Sequence, residues 1–241
     1  MKDFIEVNNK RVHYLLIQKE IRFKGKAYIS VREVRNGSAQ EAADAGAAHL
    51  LRNGAKEIYF TCRDNAVTLP EQFATLGGRT FRSVYDMDWL EKDLANFKPE
   101  GTGLELQPID KRNCGEFRRI YNECFFGVPN GATYTQTDVL ELLKPEREGA
   151  AGLLLADGEA IGIYELTFGD TPEIDAVGVT AAKRGAGYGK QALALLLGEL
   201  QSRGTRSVRL LVCTANENAY GLYIKNGFEK KSTQSHWYRM D

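Results

Sequence analysis

The sequence lacks any charge imbalance: its 32 basic and 32 acidic residues cancel. That removes the electrostatic reason to expect non-specific binding to nucleic acid or to a membrane surface. It lacks an apolar run of about 18 residues, so no transmembrane helix is expected. The stretch Met1-Lys2-Asp3-Phe4-Ile5-Glu6 carries acids where a secretory signal needs an apolar core, so a cytoplasmic setting is expected. Cysteine and histidine are scarce, at four and three residues. Cys62, Cys114, Cys124 and Cys213 form no C-x-x-C pair, and His13, His49 and His236 are scattered. No metal site is expected from such spacing. The cysteines are read as reduced thiols that fill apolar space. There is no low-complexity tract.

What is present is an ordinary globular composition, 43% hydrophobic and 27% charged over 241 residues. That length allows one large domain or two small ones. Alternating residues up to position 35 suggest strands joined by the Lys24-Gly25-Lys26 turn. Ser38-Ala39-Gln40-Glu41 is a capping-box signature, and Asn53-Gly54 stops the helix it opens. Strands are predicted over 56–62 and 80–85, a short helix over 69–76, and a helical turn or two from Asp88 to Leu94. The polar stretch Phe97-Lys98-Pro99-Glu100-Gly101-Thr102-Gly103 reads as a linker. Two domains are therefore expected, 1–98 and 104–241, both α/β.

The second half carries more signal. A short strand is predicted at 104–107, then a helix opened by Asp110 or Asn113, an aromatic loop at Phe125-Phe126-Gly127, and a helix from Thr137 to Leu143. The aromatic loop fits either the wall of a substrate pocket or a plug over the core. Strands then follow at 150–156, 160–167 and 173–179, the first two joined by the hairpin turn Asp157-Gly158. The third strand breaks into Lys183-Arg184-Gly185-Ala186-Gly187-Tyr188-Gly189-Lys190 and enters a helix directly. Strand, basic glycine loop and helix make an anion site. Glycines let backbone approach a ligand, and the helix start offers unpaired N–H groups and a positive dipole end. The loop is not a P-loop, because Gly189-Lys190 is followed by Gln191. Nor is it a dinucleotide fingerprint, because the glycines fall at 185, 187 and 189. The corresponding position in the first half, Arg35-Asn36-Gly37, has no such glycine run.

Arg184-Gly185-Ala186-Gly187-Tyr188-Gly189 resembles the Q/R-x-x-G-x-G/A acetyl-CoA loop of the GCN5-related N-acetyltransferase (GNAT) superfamily. Asn216, Ala219, Leu222-Tyr223 and Gly227-Phe228 resemble its second signature, N-x-x-A-x-x-L-Y-x-x-x-G-F. The resemblance covers roughly residues 104–241. It implies a mixed α/β sheet of the GNAT type there. Residues 1–98 then read as a degenerate GNAT-like copy or an accessory α/β domain.

The resemblance implies a chemistry and a role for each residue. Acetyl-CoA is the co-substrate, and the acceptor is a primary amine of a small molecule or a protein. Arg184, Gly185, Ala186, Gly187, Tyr188, Gly189 and Lys190 would hold the diphosphate, with Lys183 adding charge. Val177, Gly178 and Val179 would offer backbone N–H groups to the pantetheine arm and the thioester carbonyl. Tyr223 would protonate the departing thiolate. Glu173 is the leading base for the amine, with Asp175 and Glu165 as further candidates. Asn216 would cap its helix and touch the pantetheine. No metal and no covalent intermediate are required. A different class of function, a non-catalytic acyl-CoA sensor or scaffold, is compatible with the same loop. Acceptor identity and oligomeric state are not legible.

Overall fold

The computed structural model describes residues 2–63, 75–76, 79–99 and 101–240. The chain forms a mixed α/β fold of two compact units. The first comprises Met1–Asp88, Cys213–Ala215 and Ser232–Asp241, and the second Trp89–Val212 and Asn216–Lys231. Among the described residues, no helix is long and apolar enough to cross a membrane.

In the first unit, β1 (Phe4–Asn8), β2 (Val12–Ile17) and β3 (Lys26–Val34) are antiparallel neighbours. A short helix α1 (Ile21–Lys24) stands where the sequence suggested only a turn, and Gly25, with φ 68°, ends it. Helix α2 (Ala39–Arg52) opens at Ser38, whose side chain accepts from the Glu41 N–H. It buries Ala42, Ala43, Ala47 and Leu50 against Leu16, Ile29 and Phe60. Strand β4 (Glu57–Arg63) runs parallel to β3. The expected helix over 69–76 lies outside the described residues except for Thr75–Leu76, which form β5 and pair with β6 (Arg79–Asp93). Asp88 to Asp93 is therefore strand, not the helical turn expected. Leu90 and Leu94 are both buried, and a spacing of four suits one face of a strand as well as one face of a helix.

In the second unit, β7 (Leu104–Pro108), β8 (Gly149–Ala156), β9 (Glu159–Thr167) and β10 (Glu173–Val179) pair antiparallel in chain order. Asp157 and Gly158, with φ 50° and 78°, make the tight β8–β9 turn. Strand β11 (Ser207–Cys213) is parallel to β10 and is reached through helix α5 (Tyr188–Ser202). Leu193, Leu196, Leu197 and Leu200 of α5 bury against Leu166, Ile174, Val208 and Leu210. Each such leucine contributes roughly 1.5–3 kcal/mol of transfer free energy. On the other face, helices α3 (Cys114–Phe125) and α4 (Gln136–Leu142) place Phe117, Ile120, Cys124 and Val139 over Leu153, Ile163 and Ala176. Thr135 and Asp138 close a capping box on α4. The last helix, α6 (Glu217–Lys225), follows β11.

The boundary between units differs from the expected linker. Phe97 packs on the core of the second unit. The Gln201 side chain donates to the carbonyls of Leu94 and Phe97, at 2.9 and 2.8 Å. Those contacts tie 94–97 to α5, and the division falls at Asp88/Trp89. The final strand, β12 (Glu229–Met240), pairs antiparallel with β4 from Ser235 to Arg239. Ser232 to Met240 of that strand therefore belong to the first unit. In each unit three antiparallel strands, β1 to β3 in the first and β8 to β10 in the second, lead into a helix and then a strand parallel to the last of the three.

Candidate active site

The glycine loop leaves β10 through a single 3-10 turn, Ala181–Lys183, closed by N–H groups of Lys183 and Arg184 on Thr180 and Ala181 carbonyls. Gly185 and Gly187 then take φ of 81° and 82°. Only glycine adopts that conformation without steric cost. A Cβ built on either would meet nothing within 4 Å, so both face open space. Gly187 is the N-cap of α5, makes no side-chain cap, and has no acidic residue in the turn that follows. Among the described residues, the N–H groups of Gly185, Ala186, Gly187, Tyr188 and Gly189 have no hydrogen-bond acceptor. Five consecutive free donors at a helix start form a cradle suited to a diphosphate.

The basic side chains behave differently from the sequence expectation. The Arg184 guanidinium donates from Nε to the Val179 carbonyl at 3.1 Å and from Nη2 to the Cys124 carbonyl at 3.3 Å. It braces the loop against β10 and the end of α3. Lys183 is paired with Glu159 at 2.6 Å, so its charge is already partnered. Lys190 stands exposed in the first turn of α5.

Strands β10 and β11 lie side by side, yet their ladder contains only the pair Glu173↔Arg209. Past that pair β11 no longer registers with β10, and among the described residues the edge of Val177 to Val179 facing away from β9 has no strand partner. Gly178 is also a packing necessity: a Cβ there would come within 2.9 Å of Cys124 Cβ and 3.2 Å of Phe125 Cε2. Asn216 caps α6, accepting from the Ala219 N–H at 3.4 Å. Leu222 brings α6 against the start of α5: its Cδ2 is 3.5 Å from where a Gly189 Cβ would stand. The two sequence signatures thus meet. Tyr223 belongs to the same apolar cluster as Val177, Tyr188 and Ala219. Burial pushes its phenol up to about 12.

The carboxylates are not equivalent. Glu173 is clamped by Arg209, whose Nε lies 2.9 Å from Oε1 and whose Nη2 also donates to it. Arg209 in turn stacks on Trp89, 4.3 Å from the ring centre. A β-bulge at Asp175 interrupts the β9–β10 register. It turns Asp175 toward Thr167, whose hydroxyl donates to it at 2.7 Å. Glu165, on the interior strand β9, is only 7% exposed. It accepts from the Tyr134 hydroxyl and from Arg147, both at 2.9 Å. Burial raises the pKa of Glu165, with Asp175 adding to the rise and Tyr134 and Arg147 opposing it. Burial likewise raises that of Asp175.

Tyr134 and Arg147 were not singled out from the sequence. Neither lies in a motif, and only tertiary packing brings them to Glu165. Asn122 of α3 holds the Tyr134 backbone in both directions, at 2.7 and 2.9 Å. The Tyr121 ring lies parallel to the Tyr134 ring, 3.8 Å between centres, and Phe125 stacks on Tyr121 at 4.7 Å. The aromatic loop therefore divides its roles. Phe125 packs inward beside Gly178, and Phe126 is 64% exposed. All four cysteines are buried, and none of them forms a disulfide. Burial lifts the Cys124 thiol to about 11, which leaves no thiolate at neutral pH.

Comparison with known proteins follows the same lines. The profile of a family described as Acetyltransferase (GNAT) family matches residues 115–228. No curated protein matches the chain. Among solved structures, a conserved protein of unknown function from Staphylococcus epidermidis superposes with a TM-score of 0.62 at 14% identity, over 98% of this chain and 92% of its own. A GCN5-related N-acetyltransferase from Sphaerobacter thermophilus gives 0.60 at 16% identity, over 98% and 75%. Another from Kribbella flavida gives 0.60 at 13%, over 98% and 89%. At these identities the likeness is one of fold.

Proposed function

We propose, from the premise that residues 115–228 are a domain of the acetyltransferase (GNAT) family, that the protein transfers an acetyl group from acetyl-CoA to a primary amine. The observation that carries this reading is the run of five free N–H groups from Gly185 to Gly189, which lies beside a β10–β11 pair that parts after Glu173↔Arg209. The first feature suits the diphosphate. The second suits the pantetheine arm, because the free edge of Val177 to Val179 has the polarity of a strand that lacks a neighbour.

The residues then divide the work. Loop N–H groups fix the donor, with Lys190 nearby and Arg184 bracing the loop. Backbone donors at Val177 to Val179 meet the thioester carbonyl, where negative charge develops in the transition state. The acceptor arrives as an ammonium and must lose a proton before its nitrogen can attack. Glu173, Asp175 and Glu165 supply carboxylates on the face of β9 and β10 opposite α5. Tyr223, held as a neutral phenol, returns a proton to the leaving sulfur. The acceptor reaches this face from the side of the α3–α4 segment. The first unit is read as a degenerate copy of the second: it repeats the element order, but Ser38 and Glu41 occupy the start of α2. Glu41 is also paired with Arg11, so that helix start offers an anion a capped and acidic end.

The test is calorimetric titration with acetyl-CoA, followed by CoA release across a panel of primary amines. Binding together with amine-dependent release is expected. Binding without turnover on any amine would instead favour the sensor reading. If Gly187→Trp binds acetyl-CoA as the wild type does, the loop assignment is wrong.

A further inference from the structure

We infer that Glu165, rather than Glu173, takes the proton from the acceptor amine, within a network made by Tyr134, Arg147 and Asp175. The inference rests on the acetyl-transfer reading above. Three observations carry it. Glu165 pairs with Ala176 across the β9–β10 ladder, and Ile163 pairs with Gly178. Residues two apart on a strand share a face, so Glu165 lies on the same face as Gly178, one step along from the thioester position. Second, Glu165 is held without being saturated. Arg147 uses Oε1 and Tyr134 uses Oε2, and a carboxylate offers about four lone-pair sites, so one on each oxygen stays open. Third, Glu173 pairs with Thr167, one step farther from Gly178 along the ladder than Glu165, and both Nε and Nη2 of Arg209 tie it there, a guanidinium itself pinned by Trp89.

The step balances as follows. An ammonium proton passes to Glu165, directly or across one water, and the freed nitrogen attacks the carbonyl carbon. The C–S bond breaks, and the thiolate takes the Tyr223 proton. The second nitrogen proton restores Tyr223, and Glu165 releases its own to solvent.

The groups facing Glu165 come from every packed element. They are Tyr134 from before α4, Arg147 from before β8 and Asp175 from β10, with Tyr121 of α3 behind Tyr134 and Glu173 acting on Asp175. Their effects have opposite signs. Removing the Tyr134 hydroxyl takes a donor from the carboxylate, so the acidic limb of kcat/KM moves to higher pH. Removing the Asp175 charge relieves repulsion, so the limb moves to lower pH.

The experiment follows CoA release by the full chain, using acetyl-CoA and the best amine from a panel of benzylamine, lysine, spermidine and glucosamine. It compares wild type with Glu165→Gln, Glu165→Asp, Tyr134→Phe, Asp175→Asn and Glu173→Gln between about pH 5 and pH 9. The expected result for Glu165→Gln is a loss of roughly 10²–10⁴-fold in kcat, with unchanged affinity for acetyl-CoA and partial rescue in Glu165→Asp. Tyr134→Phe and Asp175→Asn are expected to shift the limb in opposite directions. Thermal melts identify any variant that fails to fold, and the two shifts decide the matter in that case. A wild-type pH profile in Glu165→Gln, or abolition of the acidic limb by Glu173→Gln or Asp175→Asn, overturns the inference and leaves acetyl transfer standing. Absence of amine-dependent CoA release by the wild type overturns both.

Discussion

At the scale of single residues, similar side chains differ because of what each one touches. Two acids one strand apart illustrate this. Glu173 takes two donors of one guanidinium on a single oxygen, while Glu165 is buried beside a phenol, one arginine and a second carboxylate. Tyr223 shows the same dependence on surroundings. Its phenol is lifted to about 12 by burial, so it remains a proton donor throughout the neutral range. Tyr223→Phe is expected to lower kcat by roughly 10²-fold or more, in line with the loss of one general acid. Its KM for acetyl-CoA should be little changed, which steady-state kinetics would check. Full retention of kcat would remove Tyr223 from the mechanism. Arg184 offers a different test. Its two bonds go to the backbone of β10 and α3, so Arg184→Ala should lower the melting temperature as well as acetyl-CoA affinity. A purely electrostatic partner of the diphosphate would change affinity alone.

At the scale of elements, the contrast between two helix starts is the reason to propose the second unit, and not the first, as the acetyl-CoA binder. Helix α5 begins at a glycine without a side-chain cap and without an acid in its first turn. Helix α2 begins at Ser38, with Glu41 in the first turn. An acid there already complements the dipole and repels a phosphate. The expected consequence is one acetyl-CoA per chain by calorimetry, abolished by Gly187→Trp. A stoichiometry of two would contradict the argument. Gly187→Ala is a milder probe. The site has room for a methyl group but φ is 82°, so the change strains the loop by about 1 kcal/mol. Its effect should appear as weaker acetyl-CoA binding with little loss of fold.

At the scale of the whole molecule, buried acids leave a mark on stability. The folded-state pKa values of Glu165 and Asp175 are both raised, mainly by burial. A carboxylic acid with a raised folded pKa binds its proton more tightly when folded. Its stabilising contribution is therefore complete below the unfolded value of about 4 and disappears as pH rises through the folded value. Urea midpoints of the wild type should fall across that window, and those of the Glu165→Gln, Asp175→Asn double variant should fall less. Equal slopes in the two proteins would refute the assignment. Much of the fold was legible before any of this. The strands β7 to β10 and the helices α3 to α5 follow from periodicity and caps, because those signals are local. Asp88 to Leu94 was misread because its leucine spacing satisfies both periods. The pairing of β12 with β4, which sets the end of the chain in the first unit, leaves no local trace in the sequence because it joins strands far apart in the chain.

The sequence by itself determined the parts of the site that depend on backbone conformation and helix ends. Gly185, Gly187 and Asn216 are such positions, since a left-handed φ or a cap restricts residue type at that point in the chain. The family resemblance rests on these, and so does the proposal of acetyl-CoA as co-substrate. Only the tertiary structure decided which charges remain available. It gave Lys183 to Glu159, Arg184 to two carbonyls and Glu173 to Arg209, and it assembled Tyr134, Arg147 and Asp175 around Glu165. The physical reason is range. Backbone geometry is set by neighbours in sequence, whereas the state of a charge is set by neighbours in space.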